Sequence, residues 1–192
     1  MNLTKIEAIE RSAQISAVAY EITWDFTGLG DTFLATTTVT FDSAEGVETF
    51  IECAAIAASR VELNGVELDA SAALSHGRIE LGDLKAHNIL AIDAEFAYRT
   101  DGQGIHRFID PEDGETYLYS QFAANDARSA FPCFDQPDIR ATFSIAVVAP
   151  SHWVVVSNSP TPMPEAQPSF PNRDTNRSSS RVHRDKLEPC LA

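Results

Sequence analysis

Hydrophobic and polar positions alternate along most of this chain. Val18, Tyr20, Ile22, Trp24 and Phe26 recur at every second residue, and Phe33, Ala35, Thr37, Val39 and Phe41 do the same. A period of two, carried by β-branched and aromatic side chains, predicts strands with one buried face. Asn64-Gly65 lies between Val61-Glu62-Leu63 and Val66-Glu67-Leu68. Asn-Gly supplies the two positive φ angles of a type I′ turn, so this stretch predicts a hairpin. Further strands are expected over 78–81, 88–98, 104–109, 115–122, 141–149 and 153–157. The Asp110-Pro111-Glu112-Asp113-Gly114 turn joins two of them. Helical signals are few. Thr4 and Glu7 form a T-x-x-E capping box ahead of Ile6, Ala8 and Ile9, which predicts a short N-terminal helix. A further one or two turns are expected over Asn125–Ala130. About ten short strands with turn signals predict an all-β fold of antiparallel curved sheets, a β-sandwich or open saddle.

The pattern fades near residue 160. Residues 161–192 hold five of the ten prolines, a Ser178-Ser179-Ser180 run and few large apolar residues. Such a stretch cannot bury enough surface to offset its ordering entropy, so residues 161–192 are expected to be a disordered tail behind a domain of residues 1–160.

Charge and composition narrow the function. The 192 residues carry 28 Asp and Glu against 14 Lys and Arg, a net charge of −14. Nucleic-acid binding needs clustered bases and is excluded as an expectation. No apolar run approaches the roughly 18 residues of a membrane span, and the opening residues lack a signal-peptide pattern. A cytoplasmic chain is therefore expected. Cys53, Cys133 and Cys190 are odd in number and far apart, which suggests neither a disulfide framework nor a zinc ribbon. His76, His87, His106, His152 and His183 include no i, i+4 pair and no Cys/His cluster, so no metal ligand is assigned. There is no G-x-S-x-G elbow or phosphate loop, and Gly102-Gln103-Gly104 reads as a turn.

The richest segment is GIHRFIDPEDGETYLYSQFAANDARSAFPCFDQPDIRATF, residues 104–143. A strand runs into a short helical turn, then a Pro-Cys-Phe-Asp-Gln-Pro corner. A buried polar corner must satisfy its own hydrogen bonds, and Arg128 and Asp135 are the partners expected to do so. The run from Tyr119 to Pro137 resembles the N-terminal-domain signature of the zinc-dependent aminopeptidase N and leukotriene hydrolase metallopeptidases. That signature reads Q-F-E, two residues, D-A-R, then F-P-C-F-D-E/Q-P and a strand. The opening LTKIEAIERSAQISAVAYEI and the segment before Gln121 are similar to actinobacterial members.

The resemblance implies a saddle-shaped β domain that packs on a separate zinc-bearing catalytic domain and acts on peptide N-termini. The catalytic domain's GxMEN and HExxH motifs do not occur in these 192 residues. This chain is therefore expected to be a piece of such an enzyme, inactive by itself, with zinc a cofactor of the intact family only. Gln121 matches a glutamine that lines the substrate pocket. The family's amine-anchoring Glu falls at Ala123, where a methyl group cannot pair with an ammonium. The bond after that position is commonly cis in the family, and trans is expected at Ala123-Ala124 without the catalytic domain. The body is expected to expose an apolar face, bordered by the corner at Phe122, Phe131 and Phe134. A stand-alone β-sandwich interaction module, or the product of a decayed gene, stays open as the alternative.

Overall fold

A computed structural model describes residues 3–28, 30–157 and 159, and the backbone of 165–166 and 177–184. The helix α1, Lys5–Gln14, starts at the expected capping box. Glu7 N–H donates to Thr4 Oγ1 at 3.2 Å, and Thr4 N–H returns a bond to Glu7 Oε2 at 2.7 Å. The long strands β1 (Ile15–Asp25), β2 (Thr32–Ser43) and β8 (His87–Ala97) follow the alternation closely. In β2, Phe33, Ala35, Thr37, Val39 and Phe41 point inward and are buried. Ala17, at φ 51°, and a register shift between Ser16 and Ala19 form a bulge in β1. The extra residue lets both Ile15 and Val18 face the core.

Between these lie β3 (Thr49–Glu52), β4 (Ala57–Leu63), β5 (Val66–Leu68), the short helix α2 (Ala70–Ala73), β6 (Leu74–Ser75) and β7 (Arg78–Leu81). Asn64 and Gly65 have φ of 55° and 82°, the type I′ geometry expected of the β4–β5 hairpin. The chain continues through β9 (Gly104–Ile109), β10 (Thr116–Gln121), a 3-10 turn at Ala127–Ser129, and β11 (Ala141–Pro150). Two further segments, β12 (Glu165–Ala166) and β13 (Arg177–Arg184), are described by backbone alone. Among the described residues the largest sheet runs β12-β13-β11-β1-β2-β8-β4-β5, with separate sheets β10-β9 and β3-β7-β6. One core joins them. Phe41, Leu90 and Ile92 of the large sheet pack with Ile51 and Ile79 of the three-stranded sheet and with Phe131 and Phe134 of the corner.

The all-β fold with a short N-terminal helix is as the alternation predicts, and four details differ. The β1–β11 pair is parallel, in register from Val18↔Ala141 to Asp25↔Val148. β3 is an additional strand, buried at all four positions and so without alternation to reveal it. Residues 153–157 form no strand, and Val154 and Val156 are exposed there. Within the stretch expected to be disordered, the backbone of Arg177–Arg184 pairs antiparallel with β11. The rest of that stretch lies outside the described residues, apart from β12. Among the described residues no helix is long and apolar enough to cross a membrane.

Candidate functional site: the end of β10 and the polar corner

The β9–β10 hairpin leads into the corner and sets where Gln121 stands. In the β9–β10 ladder Gly104 pairs with Gln121, His106 with Tyr119 and Phe108 with Tyr117. Side chains on one face of a strand pair alternate, so Gln121, Tyr119 and Tyr117 share a face with His106 and Phe108. The His106 and Tyr119 rings stack at 4.6 Å, and His106 Nδ1 accepts the Gly102 N–H at 2.9 Å. Gln121 ends the strand in the open, and its Oε1 accepts the Ala123 N–H at 3.1 Å. Ala123 and Ala124 are exposed, and the bond between them is cis, not the expected trans. The surrounding turn is closed within this chain, by Asp126 N–H donating to Phe122 O at 3.1 Å.

The turn before Gly104 also reaches this point. With its amide oriented to satisfy both ends, Gln103 donates to Ala123 O at 3.2 Å and Asp126 Oδ2 at 3.3 Å. Arg99 pairs with Asp101 and lies 3.8 Å from Asp126. The contacts of Gln103 with Ala123 and Asp126, and of Arg99 with Asp126, are not recognisable in advance, because those partners lie on a loop twenty or more residues on.

Past the 3-10 turn the corner is fastened from every side. Ala54 N–H donates to Arg128 O at 2.8 Å, and Trp24 Nε1–H donates to Ala130 O at 2.9 Å. Tyr20 OH accepts the Phe134 N–H at 2.9 Å. Cys133 and Glu52 exchange both main-chain bonds, at 3.0 and 2.9 Å. The Phe131 ring sits among Tyr20, Trp24, Phe122 and Phe143. Phe131 and Phe134 are core residues, drawn inward by the β1 aromatics and Phe41. Exposed large apolar side chains lie on the hairpin that leads into this corner: Phe108, Ile109, Tyr117 and Tyr119.

Arg128 and Asp135 meet, through the main chain: Arg128 N–H donates to Asp135 Oδ2 at 3.3 Å. The charge that neutralises the buried corner belongs to another pair. Arg11 of α1 and Glu52 of β3, each 2% exposed, bond at 2.7 Å. Arg11 also donates to Gln136 Oε1 at 3.0 Å and lies over the Phe50 ring. Gln136 Nε2–H donates back to Ala8 O at 2.8 Å, and Glu52 Oε2 accepts the Asp135 N–H at 3.2 Å. No sequence signal marked Arg11 or Glu52, since each sits alone in an unremarkable stretch.

Burial pushes the Asp135 carboxyl up to about 6, with the nearby Glu52 charge adding to the effect and the Arg128 N–H opposing it. A carboxyl raised in the folded state holds its proton between about pH 4 and 6, where the unfolded chain has lost it. Stability from this group is thus present at low pH and lost as pH rises through about 6. Asp135→Asn keeps an acceptor for Arg128 and removes the titration. The variant is expected to gain about 1–2 kcal/mol on the parent between pH 4 and pH 7, with the half-exposed setting discounted. Urea melts across that range measure it, and parallel pH profiles for the two proteins would overturn it.

Among the described residues no three His, Cys, Asp or Glu side chains gather as a metal site. His87 pairs with Asp42 at 2.6 Å on the surface. The residues here thus do not fit a zinc centre. Burial raises the thiols of Cys53, to about 11, and of Cys133, so neither is a ready nucleophile.

The exposed end of β10 and the rigid corner thus sit on a curved, mostly antiparallel β domain. The chain belongs to the Peptidase M1 N-terminal domain family, whose model matches residues 19–174. It is 47% identical to Aminopeptidase N of Streptomyces lividans over 168 residues, covering 85% of this chain and 20% of that protein. Shorter matches include Aminopeptidase M1-C of rice, 35% identical over 44% of this chain and 9% of that protein. Dog Aminopeptidase N is 51% identical over 20% of this chain and 4% of that protein. The chain thus spans about a fifth of the length of its Streptomyces relative.

Proposed function

We propose that this chain serves as the substrate-facing N-terminal domain of an aminopeptidase N-type zinc metallopeptidase, which removes N-terminal residues from peptides. Its partners in this reading are peptide N-termini and a catalytic domain that carries the zinc. Residues 1–160 are assigned to the β domain. The observation that carries the reading is the position of Gln121: exposed at the end of β10, against a corner held rigid by Trp24, Tyr20 and Glu52. A rigid support fixes where such a side chain starts, so contact with the first residue of a peptide needs less ordering. Ala123 stands where the family anchors the peptide amine, and its methyl group offers no acceptor. A cytoplasmic setting is part of the proposal and is supported by Cys53 and Cys133, both buried and unpaired.

The isolated chain is expected neither to bind zinc one-to-one nor to release amino acids from aminoacyl substrates. Metal analysis and a chelator-sensitive hydrolysis assay check this, and tight stoichiometric zinc would overturn the assignment of its histidines. The proposal itself is tested in a chimera in which this chain replaces the matching segment of Streptomyces lividans Aminopeptidase N. In an active chimera, Gln121→Ala is expected to raise KM, and Ala123→Glu to lower it by restoring a partner for the amine. No change in KM from either substitution would refute the pocket role.

A further inference from the structure

We infer that the free edge of β10 is a docking strand for an extended, basic peptide segment, which would add to the hairpin as a third strand. The inference starts from which main-chain groups face outward. Ile105 O accepts from Arg99 N–H, and Arg107 N–H donates to Arg99 O, so these two β9 residues direct their main-chain groups away from β10. In an antiparallel ladder, residues opposite such positions also point their groups outward. Arg107 pairs with Leu118 and Ile105 with Ser120, and alternation adds Thr116. Thr116, Leu118 and Ser120 therefore present a row of N–H and C=O groups. Among the described residues β10 has β9 as its sole strand partner.

Natural edge strands are guarded by lysine, proline, bulges or short length. β10 has none of these. Its six residues, Thr-Tyr-Leu-Tyr-Ser-Gln, are uncharged and free of proline, and their register with β9 is unbroken. β9 is as long, but its outer edge is bridged to Arg99, and the outer strands described in the other sheets are shorter: β5 has three residues, β6 and β12 two each and β3 four, and β3 is already bridged to Cys133.

Charge selects the occupant. Asp110, Glu112, Asp113 and Glu115 crowd the turn at one end of β10, and the whole chain carries −14. A second copy would bring its own acids against this charge. A partner with lysine or arginine at alternate positions would set its cations beside Tyr117 and Tyr119, each 50% exposed, and near the acidic turn. Arg107, the cation on β9, lies on the opposite face and pairs with Asp31 at 3.2 Å.

The test uses the full 192-residue chain and a capped, fluorescent peptide of alternating valine and lysine. Binding is read by anisotropy, and β10 amide protection by hydrogen exchange. Two control peptides replace lysine by glutamate or carry N-methyl groups at alternate amides. The basic peptide is expected to bind, to protect the Thr116, Leu118 and Ser120 amides, and to weaken with added salt. Ser120→Pro removes one outward N–H without breaking the β9 ladder, and is expected to weaken binding by about tenfold or more. Glu112→Lys with Glu115→Lys should weaken it as well. Equal binding of the N-methylated or glutamate peptide, or no effect of Ser120→Pro in a variant with unchanged circular dichroism, would overturn the inference. So would self-association abolished by Ser120→Pro, which would make a second copy the occupant. These outcomes do not bear on the pocket role of Gln121, which the KM of the chimera reads separately.

Discussion

Glu52→Ala is expected to destabilise the protein by about 3–5 kcal/mol, the usual cost of leaving a buried charge without its partner. Arg11 is 2% exposed and has Glu52 as its bonded carboxylate. Its remaining bonded partners are neutral: Gln136 Oε1 at 3.0 Å, Phe50 O at 3.3 Å and the Phe50 ring. Its Nη2 already lacks a partner in the structure. Removing the carboxylate would also strip the acceptor from the Asp135 N–H. The loss should therefore spread from α1 through β3 to the corner that supports Gln121. Arg11→Met alone should cost a comparable amount, because Glu52 would then be the uncompensated charge. The double variant Arg11→Met with Glu52→Leu should recover most of both losses, since a buried ion pair can be replaced by apolar groups at little cost. Urea denaturation of the four proteins completes the cycle. A Glu52→Ala loss below about 1 kcal/mol, the level of an exposed pair, would show that water reaches the site.

The same pair shows where sequence reading stops. A strand with one buried face writes its geometry into every second residue, and β1, β2 and β8 are legible for that reason. β3 is not, because Thr49, Phe50, Ile51 and Glu52 are all buried and the period vanishes. The parallel β1–β11 pairing carries no local mark either, since a parallel pair needs no tight turn between its strands. Helix α1 misleads in a different way. Its apolar residues Ile6 and Ile9 are 70% and 58% exposed, while its docking contact is the charged Arg11. Amphipathicity assumes that apolar side chains face the core, and here a charged group is buried because a distant carboxylate meets it. The corner was recognisable as a motif, and Arg128 and Asp135 as residues within it. That Glu52 and Arg11 neutralise it could come only from the tertiary structure, because contacts separated by forty and more residues leave no spacing to read.

Gly104→Ala is expected to cost about 2–4 kcal/mol, summing an unfavourable backbone conformation and a steric overlap. Gly104 has φ of +61°, in the left-handed region where an added Cβ meets the carbonyl oxygen. A Cβ there would overlap Ser129 Oγ and come within 3.1 Å of Arg99 Cδ. Neither neighbour can give way easily. Ser129 is buried and donates to Asp126 O at 2.6 Å, and Arg99 is held by Asp101. The strain would fall directly opposite Gln121, the ladder partner of Gly104, so the β9–β10 hairpin should loosen from the corner. The two causes can be separated. Ser129→Ala removes the overlapping oxygen and by itself costs about 1 kcal/mol for the lost hydrogen bond. In the Gly104→Ala background the same change should cost less or become stabilising, leaving the backbone share of about 1–2 kcal/mol. Urea melts give the energies, and hydrogen exchange at the Tyr119 and Gln121 amides gives the local opening. Strictly additive losses would mean that the turn moves aside to admit the methyl group, and that Gly104 is required for its backbone angle alone.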